Sequence, residues 1–74
     1  MSVKSRKINF KIALVKNGFS IVELAKRLEI DQSYTNLIVN GKRNPSPKLA
    51  KRIADTLGVE IEEIFTIESK KEAN

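Results

Sequence analysis

The chain has 74 residues, enough for one small domain, and contains neither cysteine nor histidine. That composition excludes a disulfide framework and a thiolate metal site, and removes the usual zinc ligand and the usual general base near neutral pH. The formal charge of +5 is unevenly spread: residues 1–52 hold twelve of the fourteen Lys and Arg and three of the nine acids, a balance of +9, against −4 over residues 53–74.

A basic body with an acidic end offers one positive face to a polyanion, although uneven surface charge is also common in soluble domains. No apolar run approaches the ~20 residues that span a bilayer. The basic start is followed by an amphipathic segment rather than an apolar signal core, so a cytoplasmic protein is expected. A core this small buries a modest fraction of the chain, and regular helix packing or dimerisation is expected to supplement it.

In chain order, residues 1–7 read as a basic arm. An apolar-rich stretch over 8–15 places Phe10, Ala13 and Leu14 at helical spacing and closes at Asn17-Gly18, where glycine caps a helix at no steric cost. Ser20 with Glu23 three positions on forms a capping box, and Phe19 can staple onto Leu24. A helix over 21–28 follows, with Leu24, Ala25 and Leu28 on one face. After Glu29-Ile30, Asp31 caps a helix over 32–40 with Tyr34, Thr35, Ile38 and Val39 available for packing.

Gly41 ends that helix, and Lys42-Arg43-Asn44-Pro45 makes a basic loop. Ser46 caps a fourth helix with Pro47 at its first position, where the missing N–H costs nothing. Leu49, Ala50, Ile53, Ala54 and Leu57 form its stripe, and Gly58 ends it. Ile61, Ile64 and Phe65 suggest a short fifth helix or turn. Beyond, residues 66–74 read as a polar tail, with Thr66-Ile67 as an alternative short strand. The expected fold is all-α, five short helices over residues 8–65.

The central pair of helices carries the functional argument. Two short helices joined by a tight turn can lock together so that the second projects outward, and an α-helix fits the ~12 Å major groove of B-DNA. The second helix exposes Gln32, Ser33 and Asn36, with Asn40 at its end. Gln and Asn can grip adenine bidentately, and Ser is more permissive. A merely solvated face ordinarily carries more Lys and Glu, so uncharged amides followed at once by Lys42-Arg43 favour contact with double-stranded DNA.

Here the sequence resembles the Cro/CI-type (XRE family) helix-turn-helix regulators. The likeness runs from Phe19-Ser20-Ile21-Val22-Glu23-Leu24-Ala25 through Ser33-Tyr34-Thr35-Asn36-Leu37-Ile38, Asn40-Gly41-Lys42-Arg43-Asn44-Pro45-Ser46-Pro47 and Leu57-Gly58-Val59 to Ile64-Phe65. The resemblance implies a five-helix, lambda-repressor-like domain and a homodimeric transcriptional repressor on a palindromic operator. It further implies a bacterial or phage-encoded origin. Gln32, Ser33, Asn36 and Leu37 fall where the family reads bases, with Leu37 against a thymine methyl. Ser20, Tyr34, Asn40, Lys42 and Arg43 fall where it holds phosphates. Ile61, Ile64 and Phe65 are candidates for the dimer surface, or for closing the core.

Three departures stand out. Ile21 and Val22 replace the polar residue that the family commonly has after the first cap, and suit a partner surface instead. Glu29 stands where the interhelix turn usually has glycine, so either the turn avoids positive φ or Glu29 is strained. Leu14 and Val39 stand where the family often pairs Arg with Glu, an exchange of a partly buried ion pair for an apolar contact.

Catalysis is not expected: the acids form no pair beside a nucleophile or glycine-rich loop, and Glu60, Glu62 and Glu63 read as a solvated face. Neither a cofactor, a metal nor a small-molecule effector is implied. The alternative function is a protein-interaction module, an antitoxin or co-regulator, on the same fold. Single-stranded RNA fits less well, because Phe10, Phe19 and Phe65 read as core and leave only Tyr34 for stacking.

Overall fold

The computed structural model describes residues 2–68. The elements run β1 (Ser2–Ser5), α1 (Lys7–Lys16), α2 (Ile21–Leu28), α3 (Gln32–Val39), α4 (Pro47–Leu57), α5 (Ile61–Ile64) and β2 (Phe65–Glu68). Three of the five helices, α2, α3 and α4, open on the side-chain caps that the sequence indicated. The Oγ of Ser20 accepts the Glu23 N–H at 3.1 Å, and the Asp31 carboxylate accepts the Tyr34 N–H at 3.1 Å. The Oγ of Ser46 accepts the Leu49 N–H at 3.1 Å, with Pro47 opening α4. Each side chain satisfies a donor that the helix leaves orphaned.

The fold is not all-α. β1 and β2 form a two-stranded antiparallel sheet, with Val3 opposite Ile67 and Ser5 opposite Phe65. The stretch expected to be a free arm is therefore folded into the domain as far as Ser5, and Lys7 already begins α1. The expected tail is likewise strand through Glu68, with 69–74 outside the described residues. The physical reason is burial at the strand ends: Val3 and Phe65 both join the core. The ladder then satisfies backbone groups that burial would otherwise strand. Ser5 adds a tie of its own, its Oγ donating to the Val39 carbonyl at 2.9 Å.

One core joins Phe10, Ala13 and Leu14 of α1 with Leu24 and Leu28 of α2, Ile38 and Val39 of α3, the stripe of α4, and Ile64 and Phe65. Phe10 and Phe65 meet edge to face, ring centroids 5.5 Å apart, the arrangement that aromatic quadrupoles favour. Leu14 and Val39 are both buried in this cluster, an apolar seam where the family often has an ion pair. Two side-chain bonds tie helix ends across the core. The Asn17 amide donates to the Ala13 and Leu57 carbonyls, each at 2.9 Å. The Arg52 guanidinium donates to the Leu28 carbonyl at 3.1 Å. Among the described residues no buried side-chain polar atom lacks a partner, as a close-packed core requires.

Ile64 and Phe65 are 1% and 0% exposed. Two of the three residues expected as dimer candidates are thus spent closing this core, leaving Ile61 half-buried at its edge.

Candidate nucleic-acid interface

The pose of α3 is set by the turn before it. Glu29 adopts φ 59°, ψ 44°, and is the one non-glycine residue at positive φ among those described. The left-handed region costs an L-residue with a Cβ ~1–2 kcal/mol. The turn thus takes the geometry that glycine would allow freely, and Glu29 bears the strain. In return the Ile30 N–H reaches the Ala25 carbonyl at 3.1 Å and the chain reverses in three residues onto the Asp31 cap. Thr35, fully buried, donates from Oγ1 to the Asp31 carbonyl at 2.8 Å. α2 packs directly on α3, and Arg52 holds the C-terminus of α2 from α4.

On this frame α3 buries Thr35, Ile38 and Val39 and presents Gln32, Ser33, Asn36 and Leu37 outward. Leu37 is 39% exposed, an aliphatic methyl surface within a polar face. The Asn40 amide nitrogen donates to the Asn36 carbonyl at 2.9 Å and to Asn36 Oδ1 at 2.8 Å. The Asn40 side chain is thus tied to Asn36 across one helical turn. Asn36 itself is exposed, and its amide nitrogen remains a donor of the kind a base edge accepts from.

The basic loop is folded back onto the end of α3. Gly41 takes φ 76°, and the Leu37 carbonyl accepts the N–H groups of both Lys42, at 2.8 Å, and Arg43, at 3.3 Å. The backbone donors of Lys42 and Arg43 are consumed, so at these two residues any anion contact falls to the side chains, which are exposed. The Arg43 guanidinium lies 5.5 Å from the centre of the half-buried Tyr34 ring, a cation–π contact that keeps its charge beside α3. On α2, Ser20 Oγ is occupied by its cap. Ile21 is half-buried against the core and Val22 is 40% exposed, so only Val22 is left as free aliphatic surface there.

One residue joins this face that the sequence did not nominate. Lys7, the first residue of α1, lines a shallow depression with Asn36, Leu37, Asn40 and Lys42. A cation there adds to Lys42 and Arg43, so three positive side chains border the polar face of α3. The only signal in the sequence was the basic start of the chain.

A reversal of two short helices around a rigid core, the second exposing polar side chains beside cations, defines a helix-turn-helix domain. The helix-turn-helix family model matches residues 10–64, and the chain belongs to that XRE-type family, a family of regulators rather than enzymes. It is 39% identical over 44 residues to the uncharacterized HTH-type transcriptional regulator YqaF of Bacillus subtilis. That match covers 60% of this chain and 58% of the relative. With the uncharacterized HTH-type transcriptional regulator MJ0272 of Methanocaldococcus jannaschii it shares 46% identity over 46 residues, 62% of this chain and 70% of the relative. In fold it matches a crystal structure of a candidate DNA-binding protein from Bacteroides fragilis with a TM-score of 0.74. The overlap spans 86% of this chain and 98% of that one at 17% identity, which speaks to the fold alone. No helix among the described residues is long and apolar enough to cross a membrane.

Proposed function

We propose that this chain is a sequence-specific regulator of transcription, a repressor that binds double-stranded operator DNA as a homodimer. The observation that carries the reading is the outward face of α3. It offers uncharged Gln32, Ser33 and Asn36 with the Leu37 methyls, on a helix clamped at both ends. Lys7, Lys42 and Arg43 stand around it. Amides and hydroxyls read base edges, whereas the surrounding cations neutralise phosphates and fix register. Tyr34 adds a hydroxyl within reach of the same backbone, and the N-terminus of α2 behind Ser20 adds two free N–H groups.

A single recognition helix makes a small footprint. Two copies on half-sites about one helical turn, ~34 Å, apart supply the affinity that one domain lacks. The setting is a cytoplasm of bacterial or phage-infected type, with control by protein concentration rather than by a small ligand.

Selection of genomic fragments with the purified chain tests this reading, because it returns both the preferred sequence and its symmetry. A two-fold sequence with half-sites one turn apart is expected. Recovery of no preferred sequence at low salt sinks the DNA reading, and a single asymmetric half-site sinks the palindrome.

A further inference from the structure

Of the polar side chains on the outward face of α3, one is held by a neighbour. Asn40 Nδ2 lies 2.9 Å from the Asn36 carbonyl oxygen and 2.8 Å from Asn36 Oδ1. The other side-chain hydrogen bond made by an α3 residue is that of the buried Thr35 to the Asp31 carbonyl. Among the described residues Gln32 and Ser33 are therefore unheld, and Asn36 is not.

The two ends of a carboxamide have the same shape, and their partners tell them apart. Here one main-chain oxygen decides the order in both residues. The Asn36 carbonyl only accepts, so the Asn40 atom against it is the nitrogen. That nitrogen only donates, so the Asn36 atom against it is Oδ1. Turning Asn36 over would set nitrogen against nitrogen. Asn36 is left with a second lone pair on Oδ1 and the donors of Nδ2, in a fixed order. In the major groove adenine alone offers a donor and an acceptor side by side. Guanine offers two acceptors, cytosine a donor, and thymine an acceptor beside its methyl. Leu37, 39% exposed, lines the same depression as Asn36 and Asn40, and its methyl groups suit the thymine of an A·T pair.

The geometry points to Asn40 as a positioning residue for base recognition: it fixes the Asn36 carboxamide, and Asn36 so held reads adenine. This assignment rests on the DNA reading above and deepens it by naming one base and the residue that sets it. A carboxamide free to turn over can serve cytosine through its oxygen, or guanine and thymine through its nitrogen. The bond from Asn40 works against those wrong bases. It also orders in advance a side chain that would otherwise lose its freedom on binding. Gln32, which nothing holds, lies outside its reach.

Selection with the full chain from a pool of duplexes carrying a randomised central stretch tests the assignment, with circular dichroism showing each variant folded. Asn36→Ala is expected to lose a preference for adenine of about tenfold or more at one base position. Asn40→Ala lowers the preference at that same position about three- to tenfold and spares the position lost in Gln32→Ala. Asn40→Asp keeps the shape but accepts instead of donating, so it turns Asn36 over and abolishes the adenine preference. In the Asn36→Ala chain, Asn40→Ala has no further effect. Equal losses on all duplexes in Asn40→Ala, or losses at the Gln32 position as well, overturn the positioning role. A position lost in Asn36→Ala that prefers another base overturns the adenine assignment. If no position responds to Asn36→Ala, the whole inference falls and the operator reading stands on Gln32. A wild type that recovers no preferred sequence overturns that reading and this inference with it.

Discussion

α1 and α3 each give one side to the core and turn the other outward, and their outer sides differ from an ordinary solvated face in opposite ways. α2 and α4 show the ordinary case: outside their buried stripes they carry Glu23, Lys26 and Arg27, and Lys48, Lys51, Arg52 and Asp55. α3 replaces such charges with amides, a hydroxyl and one leucine, whereas α1 presents three aliphatic side chains. Amides carry direction, because a base edge must meet donor and acceptor in register. Aliphatic groups carry area, which is non-directional and grows with surface removed from water. The two helices are joined through the core that holds Leu14 and Val39.

Breaking that joint produces the largest effect. Val39 is fully buried, so Val39→Glu strands a carboxylate and costs about 3–5 kcal/mol, much of the 5–15 kcal/mol available to a small domain. Urea denaturation is expected to show the variant near its midpoint without denaturant, and Leu14→Arg in the same chain to recover a substantial part. A cost below ~1 kcal/mol would mean that the seam is not packed as described. Next in size is Gln32→Ala. It is expected to weaken the preferred duplex by about 1–3 kcal/mol and to relax one base position, with thermal stability unchanged to within ~0.5 kcal/mol. Equal losses on all sequences would move Gln32 from reading to positioning.

Arg43→Ala sharpens the contrast between reading and holding. It is expected to weaken all duplexes alike and to lower the slope of log affinity against log salt by about 1. A loss confined to one sequence would make Arg43 a base reader. The pair Lys51–Asp55 lies outside this machinery. Its 3.0 Å hydrogen bond raises the Lys51 pKa above the usual lysine value. A raised lysine pKa adds stability that is present below the unfolded value and fades as pH rises through the folded one. Its loss therefore falls in the alkaline range, and an exposed pair of this kind contributes little.

The helices were legible because their ends are written in local chemistry. Ser20, Asp31 and Ser46 act on donors three residues away, and Gly41 and Gly58 permit conformations no neighbour has to impose. The sheet was not legible, because Ser2–Ser5 contains one apolar residue and its partner lies some sixty residues later. Lys7 was invisible as part of the site for the same reason. Ile64 and Phe65 show a different limit: apolar residues near a chain end serve a core or a partner equally well until the packing is known. The bond from Asn40 to Asn36 spans one helical turn, yet residue type alone did not tell whether the Asn40 amide faced outward or along the helix.

The smallest effect concerns the turn that aims α3. Glu29 holds a left-handed conformation because the reversal needs it, not because glutamate favours it. Glycine has no Cβ to clash there but is freer in the unfolded chain. Glu29→Gly is therefore expected to gain about 0.5–1 kcal/mol, which for a domain of this size raises Tm by roughly 4–8 °C per kcal/mol. Glu29→Gln keeps the Cβ and removes the charge, so it should leave Tm in place if backbone strain is the cause. A Tm that rises equally in both variants would assign the gain to lost charge repulsion. The relaxed turn leaves α3 where it is, and affinity for the preferred duplex in Glu29→Gly should match that of Glu29→Gln.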